Sequence, residues 1–177
     1  MKFVIEKIVV KKSKIEGYGV FAKKKIKEGS IICNFKGELV SIEELKKRYN
    51  FGKVRLDDPF QIKNNEYLLL EKPFLLINHS CSPNSGIKDI STLVAINDIN
   101  KDEEITYDYS TTEWSDSVLW GIDWYDKWHI DCKCKSEKCR KVITEFPLLP
   151  DELKKEYFKK RILPLFILNK IKLENYL

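Results

Sequence analysis

At 177 residues the chain is long enough for one domain, or one domain with a short appendage, and for a sizeable buried core. No apolar run approaches the roughly 18 residues that a membrane-spanning helix needs, so a helical membrane protein is excluded. The net charge of +5 is carried almost entirely by lysine, with arginine only at 48, 55, 140 and 161. Lysine lacks the planar fork used for bidentate contacts to phosphate and guanine, so direct nucleic-acid binding is disfavoured and a solvated basic face is the simpler reading.

In chain order, residues 3–10 read as a strand and residues 11–16 as a polar loop leading into Gly17. Residues 18–22 and 30–35 are short strands separated by Lys23-Lys24-Lys25 and a turn at Glu28-Gly29. Another strand follows over 37–41. Ser41-Ile42-Glu43-Glu44 has the capping-box pattern, which predicts a helix over 42–49. Residues 59–63 and 66–71 form a hairpin about Asn64-Asn65, and residues 92–96 and 104–107 complete the strands. Periodicity is lost over 110–131. Pro150-Asp151 opens a helix to about Arg161, broken at Pro164, and the apolar residues 165–168 are too few to cross a bilayer. Many short strands at this spacing predict a mostly β domain.

The N-terminal residues Met1-Lys2-Phe3-Val4-Ile5-Glu6-Lys7 place charges where a signal peptide needs its apolar core, so a cytoplasmic location is expected. A nuclear or chromatin location is the alternative for a eukaryotic source or a protein delivered to a host. An odd number of cysteines, three of them as Cys132-x-Cys134-x4-Cys139, makes a poor disulfide framework and points to metal binding.

Three ordered signals carry the chemistry. Gly17-Tyr18-Gly19 offers a backbone that a ligand can approach closely. Leu75-Leu76-Ile77-Asn78-His79-Ser80-Cys81-Ser82-Pro83-Asn84 follows, and then Glu103-Glu104-Ile105-Thr106-Tyr107-Asp108-Tyr109 ahead of the cysteine cluster. Taken singly, the glycines fit a plain turn, His79 a satisfied buried histidine, and the two tyrosines one face of a strand. As an ordered set over roughly residues 10–145, they resemble the SET-domain protein lysine methyltransferases, closest to compact bacterial-type members with a zinc-binding post-SET tail.

The resemblance implies a mostly β SET fold of small curved sheets with a knot-like core, a zinc-binding tail and a C-terminal helix. It divides the chain into a SET domain at 1–110, an aromatic and acidic segment with the metal motif at 111–145, and a helical extension at 146–177. It implies S-adenosylmethionine as cofactor, contacted by Gly17, Tyr18, Gly19, Asn78, His79 and Tyr109, with Asn84 bracing a turn. Tyr109 would lie beside the methyl-transfer axis, near Tyr107 and Phe35. A structural zinc would be held by Cys132, Cys134, Cys139 and Cys81; the alternatives are His129 or Cys33 in the fourth place, or no metal at all. The partner would be a protein with an exposed lysine, such as a histone-like protein.

Some positions depart from the family pattern. Leu75 stands where an arginine is common, and Asp102 and Lys135 where glycines are common. Phe35 stands where many members carry a tyrosine. Loss of that hydroxyl favours higher methylation states and Tyr107 favours lower ones, so mono- or dimethylation is expected. Residues 110–131 hold Trp114, Trp120, Trp124 and Trp128 among Glu113, Asp116, Asp123, Asp126 and Asp131. They read either as a lid with core tryptophans and solvated acids or as an acidic wall for a lysine-rich target. The rival functions are an inactive SET-like module that binds cofactor or lysine-rich peptides, and a basic zinc protein that binds nucleic acid.

Overall fold

Short β-branched and aromatic runs, each closed by Gly, Pro, Asn or lysine clusters, suit small sheets better than one large one. The computed structural model describes residues 6–55, 57–114 and 129–174. Among them, eleven strands and three α-helices form three three-stranded antiparallel sheets and one two-stranded pair.

The first sheet orders β1 (Ile8–Lys12), β2 (Tyr18–Ala22) and β9 (Glu104–Ile105) as β1-β2-β9. Among the described residues β1 extends past residue 10 because it is a hairpin arm: pairing runs from Ile8↔Ala22 to Lys12↔Tyr18 and shortens the loop to residues 13–17, while positions 3–5 of the expected strand lie outside the described residues. The second sheet orders β3 (Ile31–Asn34), β8 (Thr92–Ala95) and β7 (Ser85–Lys88) as β3-β8-β7. The third orders β4 (Gly37–Ser41), β6 (Glu66–Leu70) and β5 (Pro59–Lys63) as β4-β6-β5.

Helix α1 (Ile42–Asn50) follows its signals: the Ser41 side chain accepts a hydrogen bond from the Glu44 amide at 3.4 Å, with acids in the first turn and bases in the last. Its apolar stripe, Ile42 and Leu45, packs on Val40 and Tyr67. The cysteine motif is bracketed by β10 (Ile130–Asp131) and β11 (Val142–Ile143), which pair with each other. Helices α2 (Asp151–Lys159) and α3 (Leu165–Leu173) follow. The apolar residues after Pro164 thus start a second helix, since proline is well tolerated at a helix start. No helix among the described residues is long and apolar enough to cross a membrane.

Two larger apolar cores stand beside the small α1 cluster. The larger joins β2, β3, β5, β7 and β8 through Val20, Ile32, Phe60, Ile87 and Leu93. The second gathers Val94, Trp114, Phe146, Tyr157, Leu163 and Ile167, so α2 and α3 pack onto the β8 side of the molecule. Gly86 permits that approach, because a Cβ there would lie 2.7 Å from Ile162 Cβ.

Asp102 and Lys135, which stand where the family pattern has glycine, both adopt left-handed backbone, with φ of 66° and 56°. A short polar side chain tolerates that region, whereas a lysine is strained there.

Candidate functional site

β9 ends at Ile105, so Tyr107 and Tyr109 do not alternate along one strand. Tyr107 instead forms a parallel bridge with His79, and Tyr109 opens a 3-10 turn over Tyr109–Thr112. The bridge is made of Ser80 N–H to Tyr107 O (3.2 Å) and Tyr107 N–H to Asn78 O (3.3 Å). It joins the Asn-His segment to the tyrosine segment at the centre of the molecule.

Beside the bridge is a cavity of about 250 Å³. Gly17, Tyr18, Asn78, His79 and Tyr109 line it. Gly17 takes φ of 48°, the left-handed backbone that glycine adopts at little cost. Gly19 does not line the cavity. It lies behind it, where a Cβ would stand 2.2 Å from Glu104 Oε1. Glu104 is the brace: it accepts from Asn78 Nδ2 at 2.8 Å and from the Ser13 hydroxyl at 2.8 and 2.9 Å. Asn78 Nδ2 also reaches the Glu16 and Tyr18 carbonyls. Opposite, Arg55, Asp57 and Asp58 from the stretch after α1 line the cavity, with Arg55 paired to Asp57. The motif spacing gave no signal of these residues.

The Tyr109 hydroxyl donates to Ile77 O at 2.8 Å. The Tyr107 ring lies 4.9 Å from that of Tyr109 and 5.6 Å from that of Phe35, and Phe35 packs on Phe60 and Phe74 in the larger core. Burial holds both tyrosine hydroxyls well above the usual phenol range, so both stay protonated near neutral pH.

The sulfurs of Cys81, Cys132 and Cys134 and a ring nitrogen of His79 lie within 4.8 Å of one another. Cys139, expected as a ligand, lies outside this four-residue set; its Sγ accepts from the Lys141 amide at 3.4 Å. Burial raises Cys81 to about 11, whereas Cys134 is held below the ordinary thiol range: against the cost of burial, it gains hydrogen bonds from the Cys81 backbone and from Ser136. A thiolate at Cys134 is a ready first ligand for a soft cation.

The donor set fits a tetrahedral thiolate site. Metal–sulfur bonds of about 2.3 Å put the sulfurs about 3.8 Å apart, and Cys81 and Cys132 stand 3.7 Å apart. His79 fits less well as a ligand. Its Nδ1 accepts the Tyr109 N–H at 3.2 Å, which places the ring proton on Nε2, 3.3 Å from Cys81 Sγ. That nitrogen then donates to sulfur and has no lone pair for a metal. Burial also pulls His79 down to about 4, so its 3.5 Å approach to Asp108 is not an ion pair at neutral pH.

The cysteine segment walls one side of the cavity through Ile130, Asp131, Lys133 and Ile143. Lys133 pairs with Glu16 at 2.7 Å, and Lys135 Nζ donates to Lys14 O at 3.3 Å, which lashes this segment to the glycine loop. His129 is outside the four-residue cluster, and Cys33 is buried in the larger core.

The model of the SET domain matches residues 17–110. The chain belongs to the SET-domain family. Among its relatives, this chain is 31% identical over 159 residues to the variant-silencing SET domain-containing protein of Plasmodium falciparum, covering 78% of this chain and 6% of that one. It is 34% identical over 151 residues to the histone-lysine N-methyltransferase TRX1 of rice, covering 76% and 13% respectively. A probable histone-lysine N-methyltransferase, set-23 of Caenorhabditis briggsae, is 28% identical over 79% of this chain and 64% of its own length. The chain thus spans only a small part of the first two relatives. Among solved structures, a humanized mutant of the Chaetomium thermophilum Polycomb Repressive Complex 2 bound to GSK343 aligns with a TM-score of 0.53 at 26% identity, covering 59% of this chain and 15% of that one.

C-terminal to the matched SET region, Trp114 packs against Phe146 and beneath Lys170, as the core reading of the aromatic segment expects. Glu113 departs from that reading. It is buried, with its carboxyl held well above the usual range by burial and then by Glu145, and it accepts from the Tyr67 hydroxyl at 3.3 Å. The other tryptophans expected to form core or lid fall outside the described residues.

Proposed function

We propose that this SET domain transfers methyl groups from S-adenosylmethionine to lysine ε-amines of a protein substrate, a basic, histone-like protein being the best-matched class. The carrying observation is the Tyr109 hydroxyl, fixed on Ile77 O beside Tyr107 at the wall of the cavity that Gly17 and Asn78 line. Bound there, the cofactor supplies a methyl group on a sulfonium.

The residues have a narrow task. Transfer is an in-line displacement by a neutral amine, so orientation carries much of the rate. Freeing a lysine amine from a pKa near 10.4 at neutral pH costs about 4 to 5 kcal/mol, which desolvation by aromatic walls reduces. Phenols raised by burial are poor bases, so Tyr109 orients the amine and the proton leaves to water. Gly17, Tyr18, Asn78 and His79 would bind the cofactor, with Gly19 letting Glu104 brace Asn78. Phe35 brings no hydroxyl to the amine and Tyr107 retains one, a combination that favours mono- or dimethyllysine.

Cys81, Cys132, Cys134 and Cys139 would hold one zinc ion, whose part is structural: it fixes the wall made by residues 130–143. The test is transfer of labelled methyl from S-adenosylmethionine by the zinc-loaded protein to core histones and to a cell lysate, followed by amino-acid analysis. Methyl-lysine that disappears with Tyr109→Phe is the expected result. Bound cofactor with no transfer to any substrate would overturn the reading in favour of a binding module.

A further inference from the structure

Asp108, between the two tyrosines, is 1% exposed and is gripped on both sides. Its Oδ1 accepts from Arg140 NH2 at 2.7 Å and from the Ser110 amide at 3.1 Å. Its Oδ2 accepts from the Tyr157 hydroxyl at 2.8 Å. Arg140 follows Cys139, and its own amide donates to Cys81 Sγ at 3.3 Å. Tyr157 belongs to α2. Three distant stretches therefore meet at one carboxylate: the tyrosine segment, the cysteine segment and helix α2.

We propose that Tyr157 is a positioning residue for the methyl-transfer site, acting through Asp108. A carboxylate held only at Oδ1 can turn about its Cβ–Cγ bond, and a second bond at Oδ2 stops that rotation. The consequence passes to Arg140, because its buried Nε and NH1 atoms have no hydrogen-bond partner among the described residues. Apart from Ser110 Oγ at 3.2 Å, the Asp108 carboxylate is what aims this guanidinium. It also passes to the backbone of Tyr109, whose N–H is the donor to His79 Nδ1. The Tyr157 ring is fixed separately, by packing among Phe146, Leu163 and Ile167 in the second core. Removing the hydroxyl alone therefore frees Asp108 while the helix stays seated.

The proposal rests on the lysine methyltransferase reading for its kinetic readout and not for its spectroscopic one. The experiment compares Tyr157→Phe with Ile167→Val, which trims the same apolar cluster without touching Asp108, in the full chain. A hydrogen bond to a charged group is expected to be worth about tenfold in kcat here. Cofactor Kd should change less than about twofold, since the glycine loop is braced elsewhere. The ring nitrogen signals of His79 in nitrogen-15 NMR should move in Tyr157→Phe and stay in place in Ile167→Val. Unmoved His79 signals in Tyr157→Phe would overturn the proposal, as would a kcat loss no greater than that of Ile167→Val. If the wild type methylates nothing, the proposed function falls and the His79 comparison alone decides the role of Tyr157.

Discussion

Glu104 and Asp108 are four residues apart on one stretch of chain, yet they do opposite work. Glu104 lies beside the cavity and ties together a serine loop and the Asn78 side-chain amide at a half-buried position. Asp108 looks away from it and binds a guanidinium and a phenol in a nearly dry interior. The contrast teaches that the tyrosine segment serves two clients. On the first side, hydrogen bonds compete with water and fix the Asn78 side chain beside the cavity. On the second, an uncompensated charge is costly, so the same functional group sets stability.

Asp108→Ala should break that division most severely. It leaves the Arg140 cation with no carboxylate in the interior, for a loss of about 3 kcal/mol in urea unfolding. Chelation of the metal should come next: hydrogen exchange across residues 130–143 is expected to rise sharply, while exchange at the Asn78–Tyr107 bridge changes little. Equal exchange at both places would mean that the thiol cluster does not hold the cavity wall.

On the Glu104 side the effects should be smaller and should appear in cofactor titrations. Gly19→Ala forces a Cβ onto the Glu104 carboxylate, so cofactor Kd should weaken by about tenfold. Glu104→Gln keeps the shape and loses the charge, so about fivefold is expected, with kcat intact. A fall in kcat without a change in Kd would erase the distinction between the two carboxylates.

Glu113 extends the comparison further along the chain. Its buried carboxyl holds a proton that the unfolded chain releases above its ordinary value of 4.5, so the folded state binds more protons over that interval. Its contribution is therefore fully present below pH 4.5 and is lost as pH rises through the elevated folded value. Urea midpoints measured from pH 5 upward should decline, and Glu113→Gln should flatten the decline. The smallest change is expected from Lys135→Gly, which relieves left-handed strain and should raise stability by about 1 kcal/mol.

The motif residues were legible because their chemistry requires particular side chains in a particular order: Gly17, Asn78, His79 and Tyr109 do line one cavity. Strands β2 to β6 were also legible, since alternation and turn residues agree there. What the sequence concealed depends on contacts between distant segments. β7 contains Gly86, a poor strand residue, whose reason is the approach of Ile162. β10 and β11 are two residues each and exist because they face each other. Arg55, Arg140 and Tyr157 look like ordinary surface residues until the fold brings them to the site, and Glu104, though in a motif, gave no sign that it braces Asn78. Glu113 looked solvated for the same reason.

The tethers that complete the site span long stretches of chain: 49 residues separate Asp108 from Tyr157, 51 separate Cys81 from Cys132, and 117 separate Glu16 from Lys133. Contacts at such separation form late, after the local hairpins. During synthesis, which proceeds from the N-terminus, the glycine loop and the Asn-His segment emerge well before the residues that fasten them. A nascent chain would thus display its tyrosines and thiols while still unable to hold them in working order, and competence would arrive only once α2 had been made.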